Sequence, residues 1–109
     1  MADPVSSIRN LGPAMEKAFA EVGITSADAL RALGTDAAYA RLLANGTRPH
    51  FIGYYVIEMG LQGRPWNDCK GKEKEVLRAR FDALVAQHHD TDLSALEQML
   101  DQIGVVPKR

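Results

Sequence analysis

Two short helical patterns bounded by glycine occupy residues 7 to 34, and they constrain the fold more than any other part of the chain. Pro13 suits the first position of a helix, because its missing N–H is not needed there. Apolar residues at helical spacing follow it: Met15, Ala18, Phe19 and Val22. Gly23 favours the end of this helix, because glycine readily adopts the left-handed conformation that is common just after a helix. Thr25, with an acidic residue three positions later, has the spacing of a capping pattern for a second helix that ends at Gly34. We therefore expect two short helices packed together.

The run from residue 8 to residue 13 carries the candidate site. Its sequence, Ile8-Arg9-Asn10-Leu11-Gly12-Pro13, resembles the hairpin of helix-hairpin-helix modules, in which backbone N–H groups are presented to a phosphate. Asn10 stands where the first glycine of that turn usually is, and asparagine adopts left-handed conformations at modest cost. Ala14 replaces the lysine that often follows the proline. The candidate residues for weak nucleic-acid contact are Arg9, Asn10, Leu11, Gly12, Pro13 and Lys17.

The next segments also read as helices. Thr35 is the expected N-cap of a third helix, which ends at Asn45-Gly46. The segment from His50 to Leu61 is apolar on all sides, which is typical of a buried helix. Its β-branched and aromatic residues would also suit a strand. We favour the helix because no partner strand is evident and because Gly53 and Gly60 suit close helix packing.

The last third of the chain is predicted to hold two more helices. A long helix begins in the charged run at residue 70 and continues to Gln87. A turn is expected after His88-His89-Asp90, followed by an amphipathic helix over residues 91 to 106, for which Ser94-x-x-Glu97 has the pattern of a capping box. This last helix either docks on its own domain or exchanges with a second copy in a homodimer.

Composition limits the classes of function. A chain of 109 residues without repeats favours a single domain over residues 1 to 109. The lone Cys69 excludes an internal disulfide, and no signal peptide or membrane span is evident, so we expect a cytoplasmic protein. Lys and Arg number 13 against 14 acidic residues, and the charges are evenly spread. Such a balance can neutralise only a few phosphates, so strong binding of nucleic acid by this chain alone is not expected.

The positions of Glu58 and Trp66 in the sequence need an explanation. Glu58 falls inside an apolar segment, and we expect it to point to solvent or to pair with Arg41 or Arg64, since an unpaired buried carboxylate is costly. A functional carboxylate is the alternative. Trp66 is expected to pack over helix ends with its indole N–H bonded to a carbonyl. Stacking on a ligand is the alternative for Trp66.

Motifs for catalysis or metal binding are absent from the sequence. It contains no phosphate-binding glycine loop, no H-E-x-x-H, no C-x-x-C and no G-x-S-x-G. His88-His89-Asp90 lacks the further ligands of a zinc site. Cys69 has no histidine nearby in sequence and is expected to be an ordinary, partly exposed thiol. We therefore expect no catalytic residue, no metal and no cofactor.

Five short pieces occur in a characteristic order: Ser6-Ser7-Ile8-Arg9-Asn10-Leu11-Gly12-Pro13, Val22-Gly23-Ile24-Thr25, Leu30-Arg31-Ala32-Leu33-Gly34, Ala38-Tyr39-x-Arg41-Leu42 and Gly60-Leu61-x-Gly63-Arg64-x-Trp66. This arrangement is similar to the TfoX/Sxy C-terminal domain family and covers about residues 5 to 86. The resemblance implies an all-α fold, a compact bundle of five to six short helices with a helix-hairpin-helix-like (SAM-like) unit. It also implies a bacterial role in competence regulation, often behind an N-terminal TfoX domain that we expect this chain to lack. Cys69 departs from the family, which usually has an apolar residue there.

Two functional hypotheses of different classes follow. The first is a non-enzymatic regulatory module that contacts nucleic acid, in particular DNA, weakly through Asn10 to Pro13 with help from Arg9 and Lys17. The second is a protein-interaction or dimerisation domain, in which the hairpin is only a structural turn and the partner is a protein, such as a TfoX N-terminal-type domain. A small enzyme is poorly supported, because the sequence offers no convergent set of polar groups.

Overall fold

The computed structural model describes the backbone of residues 3 to 102 and the side chains of residues 3 to 89. Five α-helices make up this part of the chain, and two 3₁₀ turns, Val5–Ser7 and Trp66–Asp68, connect to them. The helices are α1 (Pro13–Ala20), α2 (Ala27–Leu33), α3 (Thr35–Ala44), α4 (Phe51–Leu61) and α5 (Gly71–Gln102). The all-α class is confirmed, and residues 3 to 102 contain no strand.

The expected glycine stop ends α1. Gly23 has φ +83°, and the N–H groups of Gly23 and Ile24 donate to the carbonyl oxygens of Ala20 and Phe19 at 3.1 and 2.9 Å. These two bonds are those of a Schellman motif, and Ile24 is fully buried, as the hydrophobic residue of such a motif tends to be.

Two of the expected N-caps are wrong. Ser26, not Thr25, caps α2, because its Oγ accepts the N–H of Ala29 at 3.1 Å. Thr35 is the first residue of α3 and not its cap, because the helix begins one residue earlier than expected and Gly34 is the N-cap. The Thr35 hydroxyl instead donates to Glu58 Oε1 at 2.8 Å.

Helix α4 confirms the choice of helix over strand and lies at the centre of the core. Tyr54, Ile57 and Met59 are fully buried. Aromatic rings from three helices meet there, with the centroids of Tyr39 and Tyr54 5.5 Å apart and those of Tyr54 and Phe81 5.8 Å apart. Rings at such distances attract each other and add to the burial of apolar area. The apolar segment therefore joins α3 to α5.

The turn predicted after His88-His89-Asp90 is wrong, because α5 continues through it without a break from Gly71 to Gln102. At 1.5 Å per residue a helix of 32 residues is about 48 Å long. Among residues 71 to 89 of this helix, the buried side chains that pack against the bundle are Leu77 and Phe81. The predicted packing of residues 91 to 106 concerns side chains outside the described residues.

An ion-pair network fastens α5 to α3 and α4. The Arg80 guanidinium lies 2.8 Å from Asp36 Oδ1 and 3.5 Å from Glu58 Oε1, and the Tyr54 hydroxyl donates to Asp36. Burial alone would raise the pKa of Asp36, but the hydrogen bonds from Arg80 and Tyr54 outweigh it and lower that pKa. Glu58 is therefore a paired structural carboxylate. The prediction that Glu58 pairs with Arg41 or Arg64 is wrong, because the guanidinium that lies near Glu58 belongs to Arg80.

Candidate functional site

The hairpin turns at Asn10 in the left-handed conformation that its sequence predicts. Asn10 has φ +73° and is the only residue other than glycine with a positive φ in residues 3 to 102. The N–H of Leu11 donates to the carbonyl oxygen of Ile8 at 3.1 Å across this turn. Asn10 therefore adopts the left-handed conformation that asparagine accommodates at modest cost, as expected.

The Asn10 side chain connects the hairpin to a distant loop. Its Nδ2 donates to the carbonyl oxygens of Arg64 and Val56 at 2.9 and 3.4 Å, and its Oδ1 accepts the backbone N–H of Trp66 at 3.2 Å. Both polar atoms of the amide are thus engaged within the protein. Asn10 holds the hairpin in place, and its side chain is already committed to three hydrogen bonds.

Helix α4 also touches the hairpin backbone directly. Gly60 is buried, and a Cβ atom placed on it would stand 2.2 Å from the carbonyl oxygen of Arg9 and 3.1 Å from Cγ2 of Ile8. Close approach to a neighbouring element is the role that the sequence predicted for Gly60. At Gly53 the nearest atom, the Tyr39 hydroxyl oxygen, is 4.0 Å away, an ordinary contact.

The remaining candidate residues lie in different environments. Leu11 is buried and belongs to the core, whereas Arg9, Pro13 and Lys17 are exposed. Gly12 is the N-cap of α1 and offers no side chain to the helix. The structure thus brings residues 9 to 13 to the N-terminal end of α1, with the Leu11 side chain in the core, whereas Lys17 lies in the last turn of that helix.

Backbone donors are available at this end of α1. The N–H groups of Gly12, Ala14 and Met15 have no acceptor within the described part of the chain, as is usual for the first turn of a helix. The neighbouring carboxylate of Glu16 is already bound, because its Oε1 accepts the N–H of Ser6 at 3.3 Å and the Ser6 hydroxyl at 2.7 Å. These amides carry the partial positive charge that favours an anion.

The loop around Trp66 lies beside the hairpin, a relation that the sequence does not reveal. The Trp66 side chain is 47% exposed, so it does not pack fully over the helix ends as predicted. Among residues 3 to 89 no carbonyl accepts its indole N–H. The preceding Arg64 is bound to Asp68 Oδ2 at 2.9 Å and to Glu73 Oε2 at 2.7 Å.

Two further features that could carry chemistry are the Cys69 thiol and an open cleft. Cys69 is buried, not partly exposed as expected, and this burial raises the pKa of its thiol. Within the residues whose side chains are described, no group of three His, Cys, Asp or Glu residues could hold a metal ion.

An open cleft of about 220 Å³ between α3 and α5 is lined by Ala40, Ala44, Leu84, Gln87 and His88. None of the described helices is long and apolar enough to cross a membrane.

Comparison with known proteins identifies the family of the chain. The family model described as the TfoX C-terminal domain matches residues 1 to 81, about three quarters of the sequence. The match includes the hairpin, the Asn10 bridge and the Trp66 loop. No curated protein and no solved structure matches the chain. The chain belongs to the TfoX C-terminal domain family.

Proposed function

We propose that this protein is a non-enzymatic regulatory module of the kind found in competence regulators, and that its helix-hairpin-helix-like turn contacts nucleic acid weakly. Family membership supports the regulatory role. The observation that carries the nucleic-acid contact is a set of backbone N–H groups, those of Gly12, Ala14 and Met15, that have no acceptor among the described residues. The exposed cations Arg9 and Lys17 precede and follow these residues in the sequence. We also propose a cytoplasmic location, where the protein would meet nucleic acid.

The contact involves only backbone donors and two cations. Asn10 and Leu11 contribute by shaping the turn, since the first is bound inside the protein and the second is buried. Amides at the start of a helix bind phosphate oxygens without reading the base sequence. About two to four phosphates are within reach of such a set, which gives low affinity and no sequence preference.

A salt titration tests this proposal. Binding of a labelled duplex DNA is followed by fluorescence anisotropy, and log K is expected to fall with log salt by about 0.9 for each phosphate contacted. Replacing Arg9 or Lys17 by alanine should reduce this slope by about one phosphate each. Arg48→Ala is the matched control, because Arg48 is exposed and lies in the loop before α4. Absence of any binding at low salt would contradict the proposal.

A protein-interaction domain is the second candidate. Three large apolar side chains are exposed among the described residues, namely Ile52, Trp66 and Val76. Exposed apolar side chains can contribute to contact with another protein where they form one continuous patch. The partner would be a TfoX N-terminal-type domain or a second copy of the chain. Sedimentation analysis of the chain alone separates these two partners, because only self-association changes the mass with concentration.

A further inference from the structure

Trp66 lies immediately beside the hairpin although 56 residues separate it from Asn10. Its backbone N–H donates to Asn10 Oδ1 at 3.2 Å, and its side chain is 47% exposed. It is the only tryptophan in the chain. A large aromatic ring is thus held next to the proposed phosphate contact with close to half of its surface open to solvent.

The loop that carries Trp66 is held in place on both sides. Before it, the Arg64 guanidinium is bound to Asp68 and to Glu73 at 2.9 and 2.7 Å. After it, the N–H of Asp68 donates to the carbonyl oxygen of Pro65 at 3.0 Å and closes a 3₁₀ turn. A ligand that meets the ring therefore does not have to order the loop first, which lowers the entropic cost of binding.

The charges around the loop favour an anionic ligand. Arg64 forms ion pairs with both nearby carboxylates, Asp68 and Glu73. Arg9, Lys70 and Lys72 are exposed and form no ion pair within residues 3 to 89. Lys70 and Lys72 follow the 3₁₀ turn, and Arg9 precedes Asn10. An exposed aromatic ring on a loop whose neighbouring segments carry cations without an ion pair is a combination typical of proteins that bind single-stranded nucleic acid.

We infer that Trp66 stacks on an unpaired base and that the hairpin and the Trp66 loop together prefer single-stranded to duplex nucleic acid. This inference rests on the proposed contact between the hairpin and phosphates, and it adds the class of nucleic acid. The flat faces of bases are covered by neighbouring bases in a duplex, whereas each base of a single strand can offer a face to an aromatic side chain. An apolar protein partner would also bind the ring but would gain nothing from the three cations.

The lone tryptophan supplies a direct test. The protein is titrated with an oligothymidylate, with an abasic oligonucleotide that has the same number of phosphates, and with a duplex of the same length. Stacking predicts that the oligothymidylate quenches the fluorescence of Trp66, that the abasic strand binds without comparable quenching, and that the duplex binds more weakly than the oligothymidylate. Equal quenching by the abasic strand and the oligothymidylate would overturn the inference.

Variants separate stacking from the phosphate contact. Trp66→Ala should weaken binding of the oligothymidylate at least about fivefold and leave binding of the abasic strand unchanged. Trp66→Phe, which keeps a ring, should retain part of the affinity. Ile52→Ala is the matched control, because Ile52 is exposed to a similar extent but lies in the first turn of α4, at the other end of that helix from Gly60. Circular dichroism confirms that each variant is folded.

Failure of the inference differs from failure of the proposed function. If single strand and duplex bind equally, with a salt-dependent affinity that Trp66→Ala does not change, the phosphate contact stands and stacking is excluded. If neither nucleic acid binds at low salt, both are excluded. If the ring is instead quenched by a TfoX N-terminal-type domain and by no oligonucleotide, Trp66 belongs to a protein interface and the inference is overturned.

Discussion

The α-carbon of Gly60 lies so close to the carbonyl oxygen of Arg9 that a methyl group on Gly60 would stand 2.2 Å from this oxygen. The obstructing atom belongs to the backbone, so it cannot turn away as the end of a flexible side chain can. The contact brings α4 against the hairpin at a distance that only glycine permits. Any side chain at Gly60 would therefore push the hairpin away from α4.

Gly60→Ala is expected to lower the free energy of unfolding by about 1 to 3 kcal/mol, because the added methyl group forces the hairpin away from α4. Gly53→Ala is the matched control within the same helix. Its nearest atom is 4.0 Å away, so the usual gain of alanine over glycine in a helix, about 0.5 to 1 kcal/mol, should appear. Urea unfolding measures the free energy of unfolding of both variants. Equal stability of the two variants would contradict the close contact.

Asn10→Ala should destabilise the protein by about 2 to 4 kcal/mol, since it removes three hydrogen bonds and places alanine at φ +73°. Asn10→Gly removes the same bonds, but glycine adopts that φ without strain, so the free energy of unfolding should fall by less than in Asn10→Ala. Thermal or urea unfolding of the two variants separates backbone strain from hydrogen bonding. If glycine and alanine cost the same, the left-handed conformation carries no energetic weight.

Stability should fall at acid pH in a way that depends on Asp36. Its pKa in the folded protein is lowered from the ordinary value 3.8, because hydrogen bonds from Arg80 and Tyr54 outweigh its burial. A lowered pKa means that Asp36 contributes stability above pH 3.8, and that this contribution is lost as the pH falls through the folded-state pKa.

Urea unfolding at neutral and acid pH, with wild type and Asp36→Asn compared, measures this contribution. The variant should be less stable at neutral pH and should lose less stability on acidification. Asp28→Asn serves as control, because the Asp28–Arg31 pair is largely exposed and worth less than about 1 kcal/mol. Parallel pH profiles for wild type and Asp36→Asn would show that the network contributes nothing.

The Cys69 thiol should react slowly with a disulfide reagent in the folded protein. The side chain is 5% exposed, and burial raises its pKa, so little reactive thiolate is present at neutral pH. Its rate should increase with pH and should rise sharply on unfolding in urea. Absorbance of the released thiolate measures the rate. Equal rates in folded and unfolded protein would mean that the thiol is accessible.

Local signals in the sequence predicted the helices well, and tertiary contacts explain most of the differences between the predicted and the observed structure. Pro13 and Gly23 act within their own turn, so their effect can be recognised without the rest of the fold. Thr35 resembled an N-cap, but its hydroxyl bonds Glu58, which is 23 residues away. Adjacent Thr25 and Ser26 are both suitable caps, and only the geometry of the turn selects the second.

The prediction of two helices in place of the long α5 rests on the Ser94-x-x-Glu97 capping pattern, which does not interrupt the helix. No glycine or proline occurs between residues 72 and 103, so nothing in the backbone requires a break. The position of Trp66 beside the hairpin could not be predicted at all, because contacts between distant segments leave no pattern in a single sequence. The candidate hairpin residues remain a prediction.

The amide of Asn10 has a consequence for any attempt to alter this surface. A single side chain sets the spacing between two loops that are 54 residues apart in the chain, so neither loop can be redesigned in isolation. Grafting the hairpin onto another scaffold would require the acceptors on α4 and the Arg64 loop as well. The smallest transferable unit is therefore an assembly of three separate segments, not a contiguous peptide.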